Sequence, residues 1–521
     1  ELNRVLPSKR GVGPMTDEET RELVGDYNAC RSGCREEPPY DGSKFRMLMS
    51  GSSPEKWNHQ CRIRDQFTFP MLADTREVDT IFQEEKVECQ TAAIDIDGAH
   101  RLVAQSEKDF AKMVSRPREN ENYIQRCGMF GFSTAGPHFS RWYGGLLRSE
   151  YRMMQGFGPL LFWWMFTFVD DTLKKWNKIF GWCPFVASLL FKTLIGPIIK
   201  WKKLQWGSRF TWIGFRFNTD LFMSGIPTEK ITKLAKMVAA IVELERVSGK
   251  DLEPVVGLLG HFAMALLFIK PFLAVLYSWL GGIADRDCRR ALGPVSRRTL
   301  QFFVTYVKEN PMSRAPQSGR IFWKGRSMGD VSCKDETSFV GFGGWHGETE
   351  CTVKAEVGGW YSAVPPRRRL PWMWDIRGNP QPQIAAGELA NQGIMLLSGV
   401  FKGCRIAGMT VMAPVETDNQ GNTFILHKNL STRQPVGAVL CWLAEVQQKV
   451  GCAIRPMWIE RDSNKWSDEL AEENVDLSDW PADKRIEVDW DWFSGIERWL
   501  PDDWRELREA RLLKKRKTCS G

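Results

Sequence analysis

The stretch "MFTFVDDTL", residues 165 to 173, most constrains how this chain folds, because two aspartates directly follow an aromatic and β-branched run. Such a run predicts a buried strand. Asp170 and Asp171 then either form an ordinary polar turn, since aspartate tolerates turn conformations, or face a divalent cation, since hard cations bind carboxylate oxygens. The second interpretation requires a third carboxylate elsewhere in the chain.

Composition places the chain among globular proteins. Its hydrophobic fraction of 43% and charged fraction of 26% are typical of folded domains with a sizeable core, and 521 residues suffice for several domains. The net charge of +8 indicates an acidic partner, either nucleic acid or a membrane surface.

The thirteen cysteines have no regular spacing, and no secretory signal opens the sequence. Both features predict a reducing compartment, nucleus or cytoplasm, and a protein that is not secreted. The tightest group is Cys30 and Cys34, with His59 and Cys61 further on. Because this spacing is looser than that of zinc sites, we expect no bound zinc.

Two apolar segments, residues 179–199 and 256–283, are long enough to be mistaken for membrane spans. Both are interrupted by prolines and by basic side chains, which are costly in the middle of a bilayer. The interrupting residues are Pro184, Lys192 and Pro197 in the first segment, and His261, Lys270 and Pro271 in the second. We therefore predict core helices in both segments and no membrane partner.

The pattern along the chain predicts six segments. A polar beginning precedes alternating strand-like and helix-like stretches, and "PTEKITKLAKMVAAIVELERV" then has apolar residues at helical spacing. A loop rich in proline, serine and arginine follows, and glycine turns separate the strands beyond it. The segments are a polar lead-in at 1–40, a mixed α and β domain at 41–215, a helical domain at 216–285, a linker at 286–320, a second mixed domain at 321–478 and a tail at 479–521.

The third carboxylate occurs in "TAAIDIDGAHRLV", where Asp95 follows a short apolar strand. Between Asp95 and Asp170 lies "MFGFSTAGPHFSRWYGGLLR", in which a glycine-bearing turn opens a helix that carries Arg141. An acidic strand, a glycine-bearing helix and an acidic hairpin in this order resemble motifs A, B and C of the reverse transcriptase palm.

Three further stretches are similar to the same family. "KFRMLM", with Arg46, resembles the fingers segment that contacts the incoming triphosphate, and "IGPIIKWKKLQWGSRFTWIGFRF" resembles the motif D lysine followed by the primer-supporting turn. "LEPVVGLLGHFAMALLFIKPFLAVLYSW" resembles the thumb helices of DIRS-type retroelement polymerases. The resemblance implies fingers and palm in 41–215 and a thumb in 216–285.

The resemblance also implies roles for individual residues. Two Mg²⁺ ions, with Mn²⁺ as a substitute, would be held by Asp95 and Asp170, with Asp171 completing the site. Lys203 or its neighbour Lys202 would protonate pyrophosphate, the alternative being an ordinary phosphate-facing cation. The implied substrate-binding residues are Arg46, His100 at the gate against the ribose 2′-hydroxyl, Gly131, Ala135 and Arg141.

The second half contains a carboxylate quartet of its own. The members are Asp330 before a glycine-bearing strand, Glu388 early in a helix, Asp418 at a strand end and Asp468 on a late helix. This arrangement resembles ribonuclease H, whose four carboxylates hold two metal ions. Asp335 is the alternative to Asp330, and motif context favours Asp330.

The resemblance predicts an α+β and α/β multidomain protein, with right-hand fingers, palm and thumb followed by a ribonuclease H-like mixed sheet with helices. The implied function is RNA-directed DNA polymerase with ribonuclease H activity. The implied partners are RNA template, DNA primer, RNA–DNA hybrid and deoxynucleoside triphosphates. The amino-acid sequence of the second half is most similar to retroelement proteins of dinoflagellates. The alternative is a domesticated, inactive RNA-binding scaffold. Such a scaffold would be expected to have lost metal-binding carboxylates, whereas all seven expected metal positions are acidic here.

Overall fold

The structure is a computed structural model, which describes residues 10–27, 29–36, 45–49, 58, 68–129, 131–266, 268–283, 285–314, 317–318, 325–348, 351–398 and 411–506. The chain divides into two compact units. The N-terminal unit comprises Glu1–Ile213 and Phe217–Asp220, and the C-terminal unit comprises Gly214–Arg216 and Leu221–Gly521. Both units mix helices with sheets, as the sequence predicts.

The N-terminal unit contains ten strands and four helices in its described residues. The strands are β1 Gly11–Met15, β2 Cys30–Glu36, β3 Phe45–Met49, β4 Cys89–Asp95, β5 Val114–Arg118, β6 Glu121–Gln125, β7 Trp164–Phe168, β8 Asp171–Asn177, β9 Gln205–Trp206 and β10 Arg209–Trp212. The helices are α1 Asp17–Val24, α2 Leu72–Glu84, α3 Ala135–Met154 and α4 Cys183–Ile195. A further strand, β11 Phe215–Asn218, lies at the division between the units.

A five-stranded sheet in the order β1-β6-β5-β2-β3 occupies the start of this unit. Thr16 caps α1 by accepting a hydrogen bond from the Glu19 amide, while the Glu19 carboxylate accepts one from the Thr16 amide at 2.7 Å. The predicted polar lead-in at 1–40 therefore differs from the structure, since residues 11–36 contribute two strands and a capped helix. Alternation over strands this short is too weak a signal to separate them from loops.

A four-stranded sheet in the order β7-β8-β4-β9 forms the centre of the same unit. Strands β4 and β8 pair antiparallel over their whole length, with Asp95 opposite Asp171. One apolar cluster packs this sheet against α4, with Ala92, Ile94, Trp163, Trp176 and Phe185 among its buried members. A second cluster joins the end of β4 to α3 through Ile96, Phe139, Tyr143 and Leu146.

Strand β8 carries consecutive lysines whose side chains are both fully buried. Lys174 Nζ lies 2.5 Å from Glu150 Oε1 on α3, and Lys175 Nζ lies 2.5 Å from Asp79 Oδ1 on α2. Because neighbouring side chains of a strand point to opposite faces of the sheet, each lysine ties β8 to a different helix. Lys192 on α4 joins the first pair at 2.8 Å from Glu150 Oε2.

We predict that removing one member of the Lys175 pair destabilises the protein more than removing both. Asp79→Ala leaves a buried ammonium without its partner and is expected to lower the free energy of unfolding by about 3 to 5 kcal/mol. The double variant Asp79→Leu, Lys175→Met is expected to recover most of that loss. Urea unfolding of the wild type and the two variants measures the effect, and a double variant no more stable than Asp79→Ala would contradict it.

The C-terminal unit begins with helices, as the helical spacing predicts. They are α5 Thr228–Glu243, α6 Gly249–Ala265, α7 Leu273–Gly281 and α8 Pro294–Glu309. Short strand pairs accompany them: β12 Met223–Gly225 with β15 Met312–Arg314, and β13 Val247–Ser248 with β14 Arg289–Arg290.

A mixed six-stranded sheet follows, built on the long hairpin of β17 and β18. Its strands are β16 Gln317–Ser318, β17 Gly325–Lys334, β18 Phe339–Glu348, β19 Gly359–Ala363, β20 Val411–Thr417 and β21 Cys452–Trp458. Strand β20 runs parallel to β17 and β21, while β18 is antiparallel to both neighbours. The helices are α9 Ile384–Leu397, α10 Gln420–Lys428, α11 Val436–Val450 and α12 Lys465–Ala471.

Each of the two apolar segments is largely helical: residues 179–199 contain α4 in the N-terminal unit, and residues 256–283 contain the end of α6 and all of α7 in the C-terminal unit. These helices are not buried on every face. In α4 one face is packed and the other is open, with Val186, Leu190 and Leu194 at 50%, 60% and 86% exposure. The expectation of a fully buried core helix is therefore wrong for this face. None of the helices described by the structure combines the length and apolar character that crossing a bilayer requires.

Candidate active sites

The first acidic cluster lies where β4 ends and β8 begins. Asp95 is the last residue of β4 and is 3% exposed, and its cross-strand partner Asp171 is the first residue of β8. Asp170 precedes it in the two-residue loop of the β7–β8 hairpin, and its carbonyl accepts a hydrogen bond from the Ile96 amide at 3.2 Å. The structure thus brings together all three carboxylates that the sequence predicts for this site.

The hairpin loop has an unusual backbone at Val169, whose φ is 57°. A β-branched residue in this left-handed region is an outlier that costs about 1 to 3 kcal/mol. Such strain concentrates at functional sites, where the surrounding structure maintains it. Here the pairing of β7 with β8 and of β8 with β4 holds the loop in place.

Crowding of the carboxylates changes their acidity. Burial, followed by the charge of Asp95, raises the pKa of Asp170. Burial, followed by the charges of Asp170 and Asp95, raises the pKa of Asp171 to about 6. These carboxylates therefore favour a nearby cation.

Two lysines supply part of that positive charge. Lys203, in a turn of 3₁₀ helix at Trp201–Lys203, donates a hydrogen bond to Asp95 Oδ2. Burial opposes the charge on Lys203, but Asp95 and the other two carboxylates raise its pKa on balance. Lys200 Nζ lies 3.9 Å from Asp95 Oδ1 and 3.4 Å from Asp97 Oδ1. The sequence marked Lys202 and Lys203 but not Lys200, and of the two marked residues Lys203 contacts the cluster.

The donor set of this cluster fits a divalent metal ion. Asp95 Oδ1 is buried and accepts no hydrogen bond within the described part of the chain. Hard carboxylate oxygens are what Mg²⁺ prefers. The three carboxylates do not, however, bring one oxygen each to within 4.8 Å of the others, a spacing found in the described residues only for the second cluster.

The other predicted residues of this unit lie around the cluster to different extents. His100 is in a 3₁₀ turn, its ring 6.0 Å from that of Phe139, and its charge acts on Asp170. Gly131 has a φ of 104°, and Ala135 is the buried first residue of α3. Arg141 is exposed on α3. Arg46 lies on β3, but its side chain is outside the described residues, as are His59, Cys61 and the side chain of Cys34.

A network that the sequence analysis missed lies behind the hairpin. Tyr143 Oη is 3.1 Å from Thr172 Oγ1, the residue after Asp171, and Lys192 Nζ is 3.1 Å from the same Tyr143 oxygen. Lys192 in turn pairs with Glu150. The signal in the sequence is Lys192 inside the otherwise apolar run of α4, although a lysine normally indicates solvent exposure.

The second acidic cluster lies in the C-terminal unit. Asp330 comes from β17, Asp418 follows β20 and Asp468 lies on α12, and their carboxylate oxygens all lie within 4.8 Å of one another. Glu388, from the first turns of α9, is 7% exposed and accepts a hydrogen bond from Asn422 Nδ2 at 2.7 Å. Asp335, the alternative to Asp330, lies in the exposed β17–β18 turn.

The four carboxylates line a cavity of about 540 Å³. Its wall comprises Asp330, Val331, Ser332, Cys333, Gln381, Ile384, Glu388, Asp418, Asn419, Arg461, Asp468 and Glu472. Among the residues that the structure describes, Arg461 is the only basic one in this wall, and its Nε lies 4.0 Å from Asp468 Oδ2. Its side chain is 84% exposed and therefore able to turn toward a bound anion. The sequence analysis did not select Arg461.

Repulsion within this cluster is strong. Burial, followed by a hydrogen bond with Asp468 and the charges of Glu388 and Asp418, raises the pKa of Asp330 to about 9. Burial raises the pKa of Glu388 to about 7, against hydrogen bonds from Asn419 and Asn422. A set of close, partly buried oxygen donors that resist ionisation fits a divalent cation, which would lower all of their pKa values.

Glycines of β18 allow α12 to approach the sheet. A Cβ on Gly343 would lie 2.4 Å from the Ala471 amide nitrogen and 2.6 Å from the Ser467 carbonyl oxygen. Asn391 on α9 holds the same strands, since its Nδ2 donates to the carbonyls of Asp330 and Gly343 at 2.8 and 2.9 Å. The "GFGGW" stretch therefore positions Asp468 against Asp330.

Comparison with known proteins gives only distant likenesses. No protein family and no curated protein matches the chain. Solved structures that match include three of the foamy viral protease-reverse transcriptase: a "dRH" form with double-stranded DNA, a complex with RNA/DNA hybrid and a complex with double-stranded DNA. Their sequence identities to this chain are 12%, 11% and 13%, and their TM-scores are 0.44, 0.45 and 0.43, in that order. The matches cover 81%, 84% and 83% of this chain, and 64%, 51% and 78% of the other chains. The chain thus spans less than two thirds of the first two proteins, and likeness this distant assigns neither family nor activity.

We predict that Asp330→Asn stabilises the metal-free protein. The folded pKa of Asp330, about 9, exceeds its ordinary 3.8, so the folded state holds a proton that the unfolded state releases. The stability of protein kept in EDTA therefore falls as the pH rises from about 4 to about 9. The variant is expected to lack much of this fall and to gain about 1 to 2 kcal/mol at pH 8. Thermal unfolding across this pH range tests it, and parallel curves for the two proteins would contradict it.

We also predict that Gly343→Ala separates α12 from the sheet. The clash with Ala471 is expected to cost about 3 kcal/mol of stability and to weaken binding of Mn²⁺ at the second cluster. Gly257→Ala on α6 is the control, because a Cβ there meets no atom within 4 Å. Calorimetry and Mn²⁺ titration measure both effects, and unchanged Mn²⁺ affinity in a destabilised Gly343→Ala protein would contradict the positioning role.

Proposed function

We propose that this protein is an RNA-directed DNA polymerase with ribonuclease H activity that copies retroelement RNA into DNA and cleaves RNA in the resulting hybrid. The observation that carries the proposal is the pair of carboxylate clusters, one in each unit, assembled from the positions at which the sequence resembles reverse transcriptase and ribonuclease H. The partners we propose are RNA template, DNA primer, RNA–DNA hybrid and deoxynucleoside triphosphates. The finer assignment, to DIRS-like elements of dinoflagellate type, rests on sequence resemblance alone.

In the N-terminal unit, the proposed polymerase site is held by Asp95, Asp170 and Asp171. Bound Mg²⁺ or Mn²⁺, two ions per site, would activate the attacking oxygen and stabilise the leaving oxygen of phosphoryl transfer. Lys203 would hold a proton at Nζ close to Asp95 and deliver it to the departing pyrophosphate. His100, next to Gly136 of α3, would contact the sugar of the incoming nucleotide, since Gly136 leaves space beside its ring.

In the C-terminal unit, Asp330, Glu388, Asp418 and Asp468 would hold the ions of the ribonuclease H site. Asn422 holds the Glu388 carboxylate at the cavity wall by donating a hydrogen bond to its Oε2. Arg461 would contact the phosphate of the RNA strand, because its guanidinium group is exposed in the described part of the cavity wall.

A reducing compartment, nucleus or cytoplasm, suits the proposed role. Cys89, Cys333 and Cys441 are buried free thiols. The proposal includes no zinc, and most of the loose group of Cys30, Cys34, His59 and Cys61 lies outside the described residues.

The two activities are expected to be lost separately. Asp170→Asn should reduce extension of a labelled DNA primer on an RNA template by at least about a hundredfold in Mg²⁺ or Mn²⁺, while Asp418→Asn should do the same to RNA cleavage in a hybrid. Each variant should retain the other activity.

Carboxylates outside both clusters provide controls: Asp109→Asn in the first unit and Asp335→Asn in the second should leave both activities unchanged. A wild-type protein that binds hybrid but neither extends nor cleaves it would overturn the proposal in favour of an RNA-binding scaffold.

A further inference from the structure

A second charged surface of the C-terminal unit lies outside the carboxylate cavity. The connection between β19 and α9 contains four arginines and one aspartate within residues 364–379, which we name the basic loop. Arg367, Arg368, Arg369 and Arg377 are all exposed. The proposed function uses none of these residues.

The basic loop has a rigid base. Trp372, Met373 and Trp374 are buried, and Trp374 Nε1 donates a hydrogen bond to the Ser338 carbonyl at 3.1 Å. Asp375 Oδ1 accepts hydrogen bonds from the amides of Arg377 and Asn379 at 2.9 and 2.8 Å. The arginines therefore project from a structured segment, so that little backbone order has to be gained when a partner binds.

The four arginines divide into two pairs. Arg367 lies with its Cζ 5.5 Å from the centre of the Trp374 ring, and Arg369 forms an ion pair with Asp491, so both have contacts within the protein. For the side chains of Arg368 and Arg377, the described part of the chain provides no ion pair. Two exposed guanidinium groups are thus available to an external anion.

The basic loop leads directly into the cavity wall. Gln381, four residues after Arg377, lines the cavity and donates a hydrogen bond to the carbonyl of Cys333 on β17. Ser338 Oγ, in the turn after β17, donates to the Gly378 carbonyl at 3.1 Å. A phosphodiester chain whose cleaved bond lies at the carboxylates would therefore continue onto the loop.

We propose that the basic loop binds the sugar-phosphate backbone of the nucleic acid outside the cavity, with Arg368 and Arg377 as its phosphate contacts. This inference rests on the proposed function, because the cavity defines which polymer arrives. Guanidinium groups pair with phosphate oxygens through two parallel hydrogen bonds, and such contacts hold a strand without selecting its sequence. The loop lengthens the grip on a substrate that the acidic cavity itself repels.

The test compares salt dependence of binding. The full-length double variant Arg368→Gln, Arg377→Gln is titrated against a labelled RNA–DNA hybrid in EDTA, which prevents cleavage, over a series of KCl concentrations. Each lost phosphate contact is expected to reduce the slope of log K against log[KCl] by about 1, so that the variant should lose about 1 to 2. The contacts of Arg367 and Arg369 stay intact, and thermal unfolding verifies the fold.

The matched control is Lys449→Gln, Arg455→Gln, which removes the same charge from exposed positions of the same unit. The control should retain the wild-type slope. In Mg²⁺, the loop variant should raise the KM for a long hybrid while leaving kcat and the cleavage of a short hybrid unchanged.

Three outcomes would overturn the inference. Equal slopes for wild type and loop variant, with cleavage intact, would reject the loop while leaving the proposed function in place. Equal losses in loop and control variants would show a diffuse charge effect. A wild-type protein that binds polyglutamate through Arg368 and Arg377 but no hybrid would identify an acidic protein as partner and reject both proposals.

Discussion

Strand β8 is the element on which the chemistry of the N-terminal unit depends, because it begins with Asp171 and continues with two buried lysines. Burying an ammonium group is costly unless a carboxylate accompanies it, and each lysine has its own partner on a different helix. A shift of β8 by one residue would place Lys174 where Lys175 belongs and break both pairs. The ion pairs therefore specify the register that sets Asp171 opposite Asp95.

That register brings the carboxylates of Asp95, Asp170 and Asp171 together. Packing of the sheet against its helices offsets the free-energy cost of their repulsion. Lys203 and Lys200 partly compensate the charge of the N-terminal cluster, whereas in the described part of the C-terminal cluster Arg461 does so, at 4.0 Å from Asp468. Burial is the first cause of the raised pKa at both Asp330, about 9, and Asp171, about 6, and neighbouring carboxylates add to it. A bound divalent cation would offset this cost at either cluster.

The carboxylates can be found from the sequence because acidic residues directly after an apolar strand form a recognisable local pattern. The helices of the C-terminal unit can be found because their apolar residues recur at regular helical spacing. The sequence does not reveal the strands of residues 11–36, whose alternation is weak, nor the open face of α4, since an apolar helix gives no sign of which side is packed. Buried Lys174 and Lys175 were also beyond prediction: their partners Glu150 and Asp79 lie 24 and 96 residues away.

In the C-terminal unit, the arginines of the basic loop lie outside the acidic cavity, and this separation affects which ions each surface can bind. Four carboxylates repel a polyanion unless positive charge lies nearby, and the described residues of the cavity wall supply one basic group, that of Arg461. A rigid loop with exposed arginines beside the cavity can hold the polymer while the acidic cavity remains free to gather cations. Were the same arginines inside the cavity, they would neutralise the carboxylates directly and compete with metal ions. Separate positive and negative surfaces would therefore let one unit bind both a polyanion and its counter-ions, as proposed.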